Sequence, residues 1–113
     1  MLPSGGMGKG VDLNILDFIP VGHENAVDRY ELERRTGLND RANREQIEKA
    51  WLKERKAIIN NGYGKGYYVV DPADPEDVRN LMIYLAKIDA TIRSLRDKRE
   101  VGYDILREVV SSE

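Results

Sequence analysis

Apolar and polar positions alternate in different rhythms along the chain, and each rhythm predicts an element. Over residues 11–19, Val11, Leu13, Ile15, Leu16, Phe18 and Ile19 crowd together. They predict a short helical segment capped by Asp12 and stopped by Pro20. A polar, glycine-bearing loop over 21–25 follows, and β-branched Val27 beside Ala26 favours a short extended piece. Asp28, with Glu31 three residues on, has the arrangement of a capping box. It opens a helix over 29–35 that turns Tyr30 or Leu32 inward and ends at Thr36-Gly37. Asn39 and Asp40 can cap the next helix, in which Ile47, Ala50, Trp51 and Ile58 recur at helical spacing while Arg41, Arg44, Glu45 and Lys49 fall elsewhere. The charged stretch Lys53-Glu54-Arg55-Lys56 extends this helix and leaves its end undefined by pattern alone.

Beyond Ile59 the beat changes. Asn60-Asn61-Gly62-Tyr63-Gly64-Lys65-Gly66 can supply the positive φ angles of a tight turn, and Tyr67-Tyr68-Val69-Val70 has the composition of a strand. A turn-rich joint, Asp71-Pro72-Ala73-Asp74-Pro75, leads to Glu76 and Asp77, acids suited to the first turn of a helix. From there Val78, Leu81, Leu85, Ile88, Ile92 and Leu95 keep a three-four spacing, the seam of a helix that pairs along one face. Arg99 and Gly102 interrupt the seam. A break is therefore expected over 98–102, with a short last helix over 103–110. The resulting organisation is a tail over 1–10, a domain over 11–71 and a C-terminal helical segment over 75–110. The fold class expected is mainly α with a small β-hairpin.

Charge sharpens this picture. The 113 residues carry a net charge of −2, an unpromising total for a nucleic-acid binder. Its distribution is uneven: residues 1–40 sum to −3, residues 41–70 to +4 and residues 71–113 to −3. The only positive third contains the second helix and the glycine-rich hairpin, where a surface meant for phosphate would have to lie. There is no cysteine, which excludes disulfides, thiolate metal sites and a cysteine nucleophile. No apolar run approaches the roughly 20 residues of a membrane span. The glycine-rich start lacks the apolar core of a signal peptide, so a soluble, cytoplasmic protein is expected.

Two helices joined by about three residues with a glycine among them, then a strand, a glycine loop and a strand, follow the order of a winged helix-turn-helix. The chain resembles that family, and in particular small DNA-binding proteins encoded by phages and prophages. The matching residues are Phe18-Ile19-Pro20, Gly22, Glu24-Asn25-Ala26-Val27, Glu31-Leu32, Arg35-Thr36-Gly37-Leu38, Asp40-Arg41, Arg44, Ile47 and Gly66-Tyr67-Tyr68. They cover about half of the chain. The resemblance implies a recognition helix in the major groove of double-stranded DNA and a wing on the backbone, in transcription regulation or replication.

On that reading Arg41, Arg44, Glu45 and Lys49 face the groove and Lys65 on the wing meets phosphate. The plain alternative is a solvated helix face and an ordinary hairpin turn. Leu81, Leu85, Ile88, Ile92 and Leu95 are expected to join two copies into a homodimer or to pack on their own domain. A second function class, a winged-helix adapter that binds protein and not DNA, is favoured by the near-neutral total charge and by Glu45 and Glu48 among the basic residues. No nucleophile-base pair can be assembled, so no enzymatic activity is expected, and no cofactor. Gly62-Tyr63-Gly64-Lys65-Gly66 lacks the spacing of a phosphate-binding loop. His23, the single histidine, reads as a surface or capping residue. The acids at 71, 74, 76 and 77 read as helix capping and not as a metal site.

Overall fold

The computed structural model describes residues 13–61 and 66–112. The expectations for the tail over 1–10, for the Asp12 cap and for Tyr63 and Lys65 at the hairpin tip lie outside the described residues. The fold is mainly α with one small antiparallel hairpin and a long C-terminal helix. In chain order the main elements are α1 (Arg29–Thr36), α2 (Asp40–Lys49), β1 (Ile58–Asn61), β2 (Gly66–Val69) and α3 (Pro75–Ser111). The chain divides into two compact units, with the boundary between Val78 and Arg79.

The apolar stretch at the start is shorter as a helix than its density predicts. Among the described residues of this stretch only a single 3-10 turn forms, Ile15–Asp17, and Asn14 caps it by accepting the Leu16 N–H at 3.0 Å. Its residues serve the core instead of a helix face: Ile15 and Ile19 are buried, and Leu13, Leu16 and Phe18 pack around them. Asp28 caps α1 as its spacing with Glu31 predicts, accepting the Glu31 N–H at 2.8 Å. Gly37 closes the helix in the left-handed conformation, φ 77°. Of the two inward candidates, Leu32 is fully buried and Tyr30 is exposed. Tyr30 instead lies beside Arg29, whose guanidinium sits 5.0 Å from the ring centroid.

Asn39 is the residue that caps α2, accepting the Ala42 N–H at 2.8 Å, so Asp40 opens the helix from inside. Past Lys49 the helix widens into a π turn, Ala50–Glu54, and Arg55 ends it in the left-handed region at φ 58°. A non-glycine residue there costs about 1–2 kcal/mol. The Arg55 and Lys56 N–H groups both donate to the Ala50 carbonyl, which offsets part of that cost. The reversal corrects one expectation: Ile58 continues no helical stripe but opens β1. It remains buried there because the strand returns along the same core, where the Trp51 ring N–H donates to the Ile58 carbonyl at 2.9 Å.

β1 and β2 pair in antiparallel register, Ile58 opposite Val69 and Ile59 opposite Tyr68. Ile58, Tyr67 and Val69 face the main core with Leu32, Ile47 and Ala50. Ile59 and Tyr68 belong to the other face and are buried as well. The second edge of β2 is also covered. Val27 pairs antiparallel with Tyr67, as its extended tendency predicts, and Val21 pairs parallel with Val69. β2 is thereby paired along both of its edges at these positions and presents no open ladder there.

Pro75 stands at the first position of α3 behind Asp74, whose carboxylate accepts the Glu76 N–H at 2.9 Å. The break expected over 98–102 does not occur: α3 is one continuous helix of 37 residues. A single helical glycine costs about 1 kcal/mol, too little to end a helix whose other residues favour it. Arg99, Glu100 and the Asp104–Arg107 ion pair flank Gly102 with helix formers. The seam is solvent-facing for much of its length, with Leu85 43%, Ile92 49% and Leu95 58% exposed and Leu81 half-buried.

Candidate nucleic-acid interface

The outward face of α2 is set by what its inward face must bury. Ile47 and Ala50 enter the core, and Asn43, four and seven residues before them on the same face, is fully buried with them. A buried amide must find partners. Asn43 accepts from the Thr36 hydroxyl at 2.9 Å and donates to the Leu38 carbonyl at 3.3 Å, locking the three-residue turn between α1 and α2. Thr36 in turn accepts the Leu38 N–H at 3.1 Å. Nothing in the apolar pattern singles out Asn43. Its position three residues into the helix, on the stripe of Ile47 and Ala50, is the signal that was available.

With that face inward, Arg41, Arg44, Glu45 and Lys49 all point to solvent. The side chains of Arg41, Arg44 and Glu45 are 89%, 65% and 65% exposed. These residues are brought onto one helix surface, together with ion pairs of their own: Arg44 to Asp40 at 2.8 Å and Arg41 to Glu45 at 3.7 Å. Pairs this exposed are worth little in stability and exchange readily for other anions. Lys49 makes no ion pair among the described residues. Asp40 also accepts from the Tyr67 hydroxyl at 3.4 Å, a contact that joins the start of α2 to the hairpin. Lys65, the wing residue of the expected interface, lies outside the described residues.

A second polar centre connects parts of the chain that sequence spacing keeps apart. The carboxylate of Asp77 is fully buried in the first turn of α3. It accepts the Asp71 N–H at 2.8 Å, the His23 N–H at 3.2 Å and meets the His23 ring at Nδ1, 2.6 Å away. His23 is thus more than a surface residue. Its side chain is only 17% exposed, and its ring lies edge-on to Tyr68 with centroids 6.3 Å apart. The hydrogen bond to Asp77 raises the His23 pKa above 6.5 against the opposing effect of burial, and the charges of Glu76, Asp77 and Asp74 add to the rise. Burial pushes the Asp77 carboxyl up, but hydrogen bonds from the Asp71 backbone and from His23 outweigh it and hold the group below 3.8.

His23, Asp74 and Asp77 offer donor atoms within 4.8 Å of one another, close enough for a metal ion. The contacts they already make are those of a clamp. Nδ1 is engaged by Asp77, and both Asp77 oxygens accept from backbone N–H groups as well. The group therefore ties the His23–Asn25 turn to the start of α3. The apolar and glycine patterns could not reveal it, because the two residues are 54 positions apart. An acid two residues after an Asp-Pro helix start was its local trace.

No family model, curated protein or solved structure matches this chain.

Proposed function

We propose that this chain is a winged-helix DNA-binding protein of the kind encoded by phages and prophages, cytoplasmic and homodimeric, acting in transcription regulation or replication. The reading is carried by one observation: the second helix of a glycine-turned helix pair, followed by a hairpin, turns Arg41, Arg44, Glu45 and Lys49 together to solvent. Its supporting physics is electrostatic. Residues 41–70 hold the only positive third of the chain, and Arg at an exposed helix face can address guanine edges while Lys meets phosphate. Lys65 on the wing adds a backbone contact in this reading. Leu81, Leu85, Ile88, Ile92 and Leu95 join two copies, so that two modest half-site contacts act together. No helix among the described residues is long and apolar enough to cross a membrane.

The test is a fluorescence-anisotropy titration against random duplex DNA at low and physiological salt. Binding is expected to fall steeply with salt, and Arg44→Ala with Lys49→Ala is expected to abolish it at physiological salt while leaving the fold intact. Each lost phosphate contact removes about 0.9 from the slope of log affinity against log salt. No binding at either salt by a folded protein overturns the reading. In that case the second reading, a protein-binding adapter of the same fold, takes its place. Its specific support is that Asp40 and Glu45 already offset the charge of Arg44 and Arg41. In sedimentation analysis Ile92→Asp is expected to yield monomers, and an intact dimer would put the interface elsewhere.

A further inference from the structure

Resting on the dimer reading above, we propose that α3 pairs antiparallel with α3 of a second copy, about a two-fold axis passing between Arg93 and Ser94. Because the helix is unbroken through Gly102, the three-four repeat runs on through Arg99, Gly102, Leu106 and Val109, and every pairing must place those residues somewhere. Leu106 and Val109 are 59% and 53% exposed, so the stripe is as open in this half as in the first. An exposed apolar stripe on a helix of this length leaves most of its stabilisation to a packing partner.

Side-chain size and charge select the orientation. In a parallel pair in register each residue meets its own copy. Arg99 would then face Arg99 and, in the next layer, Gly102 would face Gly102, a like-charge contact followed by a void. In the antiparallel pair the second copy's Leu85 fills the space over Gly102. Arg99 lies across from the second copy's Ile88, where its long stem covers apolar surface while the guanidinium reaches solvent. Ile92 and Leu95 face each other across the axis.

The positions flanking the seam agree. Antiparallel pairing sets Asp89 beside the second copy's Arg96, twice by symmetry, and Met82 beside the second copy's Tyr103, a sulfur-aromatic contact. On the other flank Tyr84 meets Ile105 of the second copy. Parallel pairing would instead set Tyr84 against Asp89 and Lys98 against Tyr103. Register follows from the same charges: sliding the antiparallel pair by one heptad either way brings Asp89 against its own copy or Arg96 against its own. One orientation in one register therefore matches large with small, acid with base and apolar with apolar.

The chain has no cysteine, so Ser111→Cys accepts a single nitroxide label at an exposed site near the end of α3. Double electron-electron resonance then reads the distance between the two labels. At 1.5 Å per residue, antiparallel pairing about the stated axis separates them by about 50 Å, whereas parallel pairing holds them within about 20 Å. A distance near 50 Å that disappears when Ile92→Asp is added supports the proposal. The short distance overturns the antiparallel arrangement and leaves the dimer standing. A 50 Å distance that survives Ile92→Asp overturns it too, because that carboxylate would face Leu95 at the axis and the contact then lies elsewhere. Absence of a dipolar signal with monomers in sedimentation removes both the proposal and the dimer on which it rests.

Discussion

Replacing Gly66 with alanine tests how the hairpin is joined to the rest of the core. Gly66 opens β2 at φ 99°, a conformation that L side chains rarely adopt. A Cβ built there lies 1.8 Å from the Val27 carbonyl oxygen, 2.2 Å from its carbon and 2.5 Å from the Asp28 Cα. All three are backbone atoms, so no rotamer change relieves the overlap. The strand edge formed by Val27 must move, and with it go the two bonds it exchanges with Tyr67, at 3.0 and 2.6 Å. Two backbone bonds at about 1 kcal/mol each and backbone strain of about 1–3 kcal/mol give a cost of about 3–5 kcal/mol. Gly37→Ala is the internal control, since Gly37 is also left-handed but a Cβ there meets nothing within 4 Å. It should cost only the strain, about 1–2 kcal/mol. Urea unfolding followed by the fluorescence of Trp51, the sole tryptophan, measures both. At a slope of about 1.5 kcal/mol/M the midpoint falls by roughly 2–3 M for Gly66→Ala and about 1 M for Gly37→Ala. Complete unfolding of Gly66→Ala is the upper end of the same effect. Equal midpoints for the two variants would refute the reasoning, because the backbone overlap would then carry no cost.

The His23–Asp77 contact predicts a stability profile with two arms. His23 titrates above 6.5 in the fold, so its contribution is complete below that value and is lost as pH rises through the folded pKa. Asp77 titrates below 3.8, so its contribution is present above that value and is lost as pH falls through the folded pKa. The thermal midpoint by circular dichroism is expected to be highest between these limits, and His23→Gln is expected to flatten the alkaline arm; parallel profiles for wild type and variant above about pH 6 would exclude His23 as its source. Asn43→Ala strips the turn between α1 and α2 of two buried hydrogen bonds and is expected to cost about 1–3 kcal/mol in the same urea assay. A loss under about 0.5 kcal/mol would mean that the Thr36 and Leu38 groups find other partners.

Local chemistry determined much of this fold without help. Asp28 with Glu31, Gly37 in the left-handed position, Asn39 before α2 and Pro75 after Asp74 mark helix ends through interactions within a few residues, and all four act where they stand in the chain. Two apolar stretches followed tertiary packing instead. The dense residues around Ile15 have no polar face to give a helix, so they fill the core from a single turn, and Ile58 serves a strand because Arg55 reverses the chain just before it. Gly102 misled for the opposite reason: a helix weakened by about 1 kcal/mol at one position continues when its neighbours favour it. In the candidate interface, the grouping of Arg41, Arg44, Glu45 and Lys49 on one face was legible from helical spacing. The i,i+4 spacing of Asp40 and Arg44 already allowed their ion pair, whereas the burial of Asn43 required knowing which face turns inward. The His23–Asp77 clamp was least legible of all. Its partners meet only because the His23–Asn25 turn and the joint before α3 converge on β2, and no periodicity within either segment records that meeting.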